Sequence, residues 1–287
     1  MNQNCKKIAF YGKGGIGKST VASNISVALS MQKKKVLHIG CDPKSDSTRN
    51  LTTFKLPTIL QQIQLKGDDL QKEDILFEGF NGVFCMEAGG PEAGIGCAGI
   101  GISAMVDELE RLGIYEMDWD IIIYDVLGDV VCGGFSLPMR KHFVDSVYIV
   151  SSSDFMSIYA ANNIMKSIKR YSDTEHPLLG GIIHNHYNNE ESLKQIDFFA
   201  QKTNTKIISY LPQSLKIKLA ECRRKTVIQD CPDSSISNDF IDLSIKILQN
   251  NYFKIPAPLD EISLEEVGQE LLNIELQHLL KESKNEL

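Results

Sequence analysis

The stretch Gly12-Lys13-Gly14-Gly15-Ile16-Gly17-Lys18-Ser19-Thr20 lies between an apolar run, Ile8-Ala9-Phe10-Tyr11, and a helical-period run, Val21, Ile25, Ala28 and Leu29. It constrains the fold more than any other feature. Gly12, Gly17, Lys18 and Ser19 fit G-x-x-x-x-G-K-[ST]. In that pattern the loop backbone, here Gly12, Gly14, Gly15, Ile16 and Gly17, turns its N–H groups onto phosphates. Lys18 then reaches the β/γ oxygens, and the Ser19 hydroxyl binds Mg²⁺. A glycine-rich turn without a ligand is the alternative, but the order strand, loop, Lys-Ser and helix argues against it. The expectation is an α/β protein that binds ATP or ADP with Mg²⁺.

Lys13, a second lysine inside the loop, separates this sequence from most phosphate loops. The run Gly-Lys-Gly-Gly-Ile-Gly-Lys-Ser-Thr resembles the deviant loop of dimeric ATPases that include partition and arsenite-pump proteins. The resemblance implies a homodimer in which Lys13 reaches the partner's nucleotide.

A chain of 287 residues with 43% apolar and 23% charged side chains can bury one large core, so a single domain over 1–287 is expected. The net charge of −7 gives no general attraction to nucleic acid or to anionic lipid. No apolar run reaches the ~18 residues that a membrane span needs, and Met1 to Lys7 holds no signal-peptide core. A cytoplasmic location is expected. Seven cysteines in such a chain argue against a disulfide framework.

Along the chain, strands are expected at 35–40, 83–88, 119–125, 146–150, 180–185 and 206–211. With the first, they give a doubly wound, mostly parallel sheet of about seven strands with helices on both faces. The second strand delivers Asp42, Lys44 and Asp46 to a loop at its carboxyl end, where open α/β sheets keep their ligands. Two carboxylates there could position water or Mg²⁺; the alternative is an Asx-turn. Residues 56–80 read as scaffold. Trp119 to Asp125 is a buried parallel-type strand ending in an aspartate, as a Walker B element does, which makes Asp125 the Mg²⁺-side carboxylate. Beyond Pro256 the tail is acidic, and Ser263-Leu264-Glu265-Glu266 reads as a capping box before a helix whose apolar face needs a partner.

Two cysteines stand in Gly-rich loops: Cys97, just before a helix start where N–H groups favour an anionic sulfur, and Cys132, seven residues beyond Asp125. One chain supplies too few ligands for a closed site. If two chains meet about a two-fold axis, a pair from each gives the four thiolates of a 4Fe-4S cubane; otherwise both are small buried residues.

Tyr11 to Thr20, Gly40-Cys41-Asp42-Pro43-Lys44-Ser45-Asp46-Ser47-Thr48-Arg49, Gly89-Gly90-Pro91-Glu92, Gly96-Cys97-Ala98-Gly99, Asp125 to Phe135 and Tyr159-Ala160-Ala161-Asn162-Asn163-Ile164 together resemble the nitrogenase iron protein family. With Leu211-Pro212, Glu221, Thr226-Val227-Ile228 and Ile255-Pro256, the resemblance covers nearly the whole chain. It implies a homodimer with one bridging 4Fe-4S cluster held by Cys97 and Cys132 of each subunit. Such a dimer takes electrons from a low-potential donor such as ferredoxin or flavodoxin. It passes them singly to a nitrogenase or nitrogenase-like metalloprotein as MgATP is hydrolysed. By the same resemblance Lys13, Lys18, Ser19 and Thr20 hold phosphates and Mg²⁺. Asp42, Lys44 and Asp46 form a first switch, Asp125 and Asp129 a second, and Asn185, Pro212 and Glu221 the adenine side.

Departures fall on the face expected to meet the partner. Ile100 stands where the family usually has an arginine, Lys141-His142-Phe143 follows Pro138-Met139-Arg140 where an acidic residue is usual, and Gln213-Ser214 replaces Arg-Asp. Two other classes compete. Partition or septum-positioning ATPases commonly need a basic surface or a C-terminal membrane helix, whereas this tail is acidic. Iron-sulfur carrier ATPases typically use C-x-x-C near the C-terminus, and Cys222 and Cys231 are too far apart.

Overall fold

The structure, a computed structural model, describes residues 5–91, 99–128, 136–140 and 143–285. Its centre is an eight-stranded sheet in the order β3-β4-β2-β5-β1-β6-β7-β8. The strands are β1 Lys6–Tyr11, β2 Val36–Gly40, β3 Phe77–Glu78, β4 Phe84–Glu87, β5 Ile121–Asp125, β6 Ser146–Ser151, β7 Leu179–Tyr187 and β8 Ile207–Pro212. All pairs are parallel except β3 with β4. The four central strands β2, β5, β1 and β6 are mostly apolar and almost wholly buried, as strands covered on both faces must be. Eight strands rather than about seven are found because β3 is two residues long, too short for any alternation to show in sequence.

The helices are α1 Lys18–Met31, α2 Arg49–Thr52, α3 Ile59–Lys66, α4 Gly99–Arg111, α5 Phe155–Tyr171, α6 Glu190–Lys202, α7 Leu215–Cys222, α8 Val227–Asp230, α9 Ser235–Gln249 and α10 Glu261–Asn285. Two apolar layers flank the sheet. One joins Ile102 and Met105 of α4, Ile158 of α5, Ile196 of α6 and Leu264 of α10. The other joins Ile25 of α1, Ile217 of α7, Ile228 of α8 and Phe240 of α9. Helix α1 is buried nearly all round, so its polar groups are satisfied internally. Asn24 Nδ2 donates to Thr20 O at 2.8 Å while its Oδ1 accepts from Ile228 N at 3.3 Å.

The tail departs from its sequence reading at one end. Helix α10 starts at Glu261, and Asp260 caps it by accepting from Ser263 N at 2.8 Å, so Ser263 lies inside the first turn and is not the cap. An aspartate one turn upstream serves the same free N–H groups, and the Ser-x-x-Glu spacing was coincidental. Leu264, Val267 and Leu271 are buried against the chain's own α5 and α6, and Gln195 Nε2 donates to Leu271 O at 3.0 Å. Leu272 and Leu276 face outward. Leu271→Ala should therefore lower unfolding free energy by about 2–4 kcal/mol, and Leu276→Ala by less than ~0.5. Urea titration followed by circular dichroism reads both values.

Candidate functional site

The loop after β1 sits at the carboxyl ends of the central strands, between β5 and β6. Helix α1 begins at Lys18, so its unpaired N–H groups point into the same space. Gly17 has φ 91°, left-handed backbone that glycine adopts without strain, and it has no room for a side chain. A β-carbon there would lie 2.5 Å from Asn185 Nδ2. That amide donates to Ile16 O at 2.8 Å, tying the end of β7 to the loop. Lys18 is buried, with Nζ 3.4 Å from Lys13 O, and its charge faces Asp125.

Asp125 ends β5 out of reach of water. Burial pushes its carboxyl up, while Lys18 and the Ser19 and Ser47 hydroxyls draw it back down. Ser47 donates to Oδ2 at 2.6 Å; Oδ1 is buried and has no hydrogen-bond partner. An orphaned carboxylate oxygen beside a serine hydroxyl and a buried ammonium fits a hydrated Mg²⁺ on a bound triphosphate. Behind Ser47, His38 lies with Nε2 2.8 Å from Ser47 Oγ and Nδ1 2.8 Å from Ser26 Oγ. Burial holds its pKa down to about 3, so it is neutral. The one Ser47 proton goes to Asp125, so Nε2 carries the hydrogen in the His38–Ser47 contact.

The remaining predicted residues are distributed as follows. Asp42 forms the Asx-turn, accepting from Lys44 N at 2.9 Å, and Lys44 itself is exposed. Asp46 lines a cavity of about 400 Å³ with Ser19, Thr20, Arg49, Glu221 and Arg224. Thr20 donates to Glu221 across that cavity. Pro212 ends β8 opposite Tyr187, next to Asn185. Lys13 is 3.5 Å from Asp154, the N-cap of α5. Cys97, Asp129, Cys132, Lys141 and His142 lie outside the described residues. Gly128, the last described residue before Asp129, presses on the phosphate loop so closely that a β-carbon would collide with Gly12 O. Ile100 is exposed in the first turn of α4, and Ser214 caps α7 by accepting from Lys216 N at 3.3 Å. The five described cysteines that carry no predicted role are free thiols.

Sequence reasoning missed Ser47, Asp154 and Glu87. Ser47 was visible only as part of a motif, and Asp154 only as a helix cap. Glu87 ends β4, fully buried, and its Oε1 accepts from Thr48 N at 2.8 Å and Thr48 Oγ1 at 2.7 Å. Burial pushes its pKa up to about 8 against the pull of Thr48, with Asp125 and Asp46 adding repulsion. A glutamate at the end of an apolar strand gives no sequence sign of being neutral. Between its ordinary pKa of 4.5 and about 8, the folded protein holds a proton that the unfolded chain has lost. That contribution to stability is complete below pH 4.5 and is lost as pH rises through 8. Without nucleotide or Mg²⁺, Glu87→Gln should reduce the fall in unfolding free energy from pH 5 to pH 8 by on the order of 3 kcal/mol. Denaturant titrations of both proteins across that range measure it.

Comparison with known proteins agrees with this geometry. The family model for 4Fe-4S iron sulfur cluster binding proteins, NifH/frxC family, matches residues 6–274. The chain is 48% identical over 268 residues to the nitrogenase iron protein of Methanococcus voltae, covering 93% of this chain and 96% of that protein. It is 44% identical over 281 residues to nitrogenase iron protein 2 of Paenibacillus durus, covering 96% of each. Among solved structures, the MinD cell division protein of Aquifex aeolicus superposes with a TM-score of 0.64 at 21% identity, covering 87% of this chain and 99% of that one. The septum site-determining protein MinD with Mg-ADP from Pyrococcus horikoshii superposes with 0.67 at 18% identity, covering 85% and 96%. At those identities the structural likeness establishes the fold alone. The sequence match over nearly the full length decides between the classes that share it: the chain belongs to the NifH/frxC family of 4Fe-4S iron–sulfur cluster-binding proteins.

Proposed function

We propose that this chain is an ATP-dependent electron-transfer reductase, working as a homodimer and passing single electrons to a nitrogenase-like metalloprotein. The observation that carries the reading is the contact of Gly128 with Gly12, because the segment that leads to Cys132 leaves from the phosphate loop itself. Lys18, Ser19 and Asp125 bind the triphosphate and its Mg²⁺, and Lys13 completes the partner's site on closure. Cys97 and Cys132 of each subunit would hold one 4Fe-4S cluster, which would supply a one-electron carrier. Glu87, at the end of β4, holds Thr48, two residues beyond Asp46 of the first switch. Of the two loops that respond to the γ-phosphate, the second therefore runs on to Cys132, and the first is tied through Thr48 and Glu87 to the strand that precedes the Cys97 loop.

Anaerobic protein reconstituted with iron and sulfide should contain about four iron atoms per dimer. MgATP should accelerate iron removal by a chelator over MgADP, and Lys18→Ala should abolish that difference. Cys97→Ser or Cys132→Ser should lose the cluster. A folded wild-type preparation with no cluster absorbance and no EPR signal when reduced would overturn the reading.

The partner is a nitrogenase-like protein with an apolar patch opposite Ile100. Each subunit shows that side chain, 53% exposed, beside the helix start that follows Cys97. An acidic patch built to meet an arginine would face sec-butyl groups and lose about 2–5 kcal/mol per site from unpaired carboxylates. Acetylene reduction by a standard molybdenum-iron component should be poor with this protein and improve with Ile100→Arg. Turnover equal to that with the component's own reductase would refute it.

A further inference from the structure

Strand β7 slips register against β8 near its end: Asn185 pairs with Leu211 and Tyr187 with Pro212, which leaves His186 as an extra residue. His186 has φ 63°, left-handed backbone that a non-glycine residue adopts rarely. A bulge of this kind turns one side chain out of its alternation and aims it elsewhere. Here it aims the imidazole at the phosphate loop. His186 Nε2 lies 3.3 Å from the point where a β-carbon on Gly17 would be, and Asn185 Nδ2 lies 2.5 Å from the same point. Consecutive residues thus clasp the last glycine before Lys18.

The surroundings decide which end of a nucleotide this ring meets. Burial lowers the pKa of His186 and Lys218 lowers it further, against the pull of Glu221, so the ring is neutral at pH 7. Glu221 is held by Thr20 on the wall of the cavity beside Ser19. A neutral ring next to a carboxylate is a poor seat for phosphate oxygens. It is a good one for a ribose, whose hydroxyls donate to the carboxylate, and for a purine, whose face stacks on the imidazole. His184, two residues earlier, takes no part: it is buried, neutral with its pKa pushed down to about 4, and set edge-on to Tyr210.

We propose that His186, turned out of β7 by the bulge, is a nucleoside-contacting residue of the ATP site, seating the ribose and purine of the bound nucleotide between Asn185 and Glu221. This rests on the ATP site proposed above. The test compares wild type with His186→Ala and His186→Phe for binding of MgADP and of inorganic tripolyphosphate, by titration calorimetry on the full-length protein. His186→Ala should weaken MgADP roughly tenfold, the size of one lost stacking contact, and leave tripolyphosphate unchanged. His186→Phe, which keeps a flat ring, should recover most of the loss. MgADP binding by His186→Ala within twofold of wild type would overturn the assignment, and so would an equal loss for both ligands, which would mean a disturbed loop. Wild-type protein that binds neither ligand would overturn the ATP site itself, and this inference with it.

Discussion

The side chains of Asp125 and Lys18 are held away from water where β1 and β5 end, and much of the molecule is arranged around that pair. Moving either ion alone into a dry interior costs several kcal/mol, and their mutual attraction offsets this only when hydrogen bonds complete the shell. Asp125 and Lys18 have that shell on one side only. Ser47, backed by neutral His38, occupies one carboxylate oxygen, and the other is left open. Placing polar chemistry at the carboxyl ends of a parallel sheet works because the strands are covered on both faces and the loops need carry no core. The site is therefore strained in charge and rigid in shape, and a bound polyanion with its cation relieves the first without disturbing the second.

The same rigidity explains how a change at the phosphates can travel. Gly128 touches Gly12, so nothing yields between the phosphate loop and the segment that follows β5. On the other flank Thr48 is fastened by two hydrogen bonds to Glu87, the last residue of β4. The first of these contacts is backbone on backbone, and the second rests on a buried carboxyl group. Packed backbone of this kind has few intermediate arrangements, so it shifts between discrete ones.

The fold was legible because its signals are local. The phosphate loop, the mostly apolar strands and the aspartate closing β5 each declare themselves within a dozen residues, and glycine spacing settles the turn. Strand β3 escaped because two residues carry no period, and the start of α10 was misplaced because Asp260 and Ser263 are both good caps one turn apart. Within the candidate site, Lys18, Ser19, Asp125 and Asn185, which the fold gathers at the phosphate loop, were readable as candidates from charge or motif. Glu87 and Asp154 were not, since the first acts by being neutral and the second by pairing with a lysine 141 positions away. Both properties arise only when the sheet brings distant strands together, and no window of sequence contains them.

The pairing of Lys13 with Asp154 bears on how the proposed dimer closes. In the single chain Lys13 lies 3.5 Å from that carboxylate, with the two side chains 40% and 53% exposed. An ion pair so open to water is worth about 0–1 kcal/mol, because solvent screens it and two flexible groups must be ordered to make it. Lys13 therefore starts parked beside its own loop by a contact too weak to hold it. Transfer to a triphosphate across a two-fold axis replaces a screened contact with a desolvated one between ions of higher charge. The exchange runs downhill only when the far site is filled. A lysine held this loosely lets occupancy of both nucleotide sites set the closed state, because no internal latch has first to be broken.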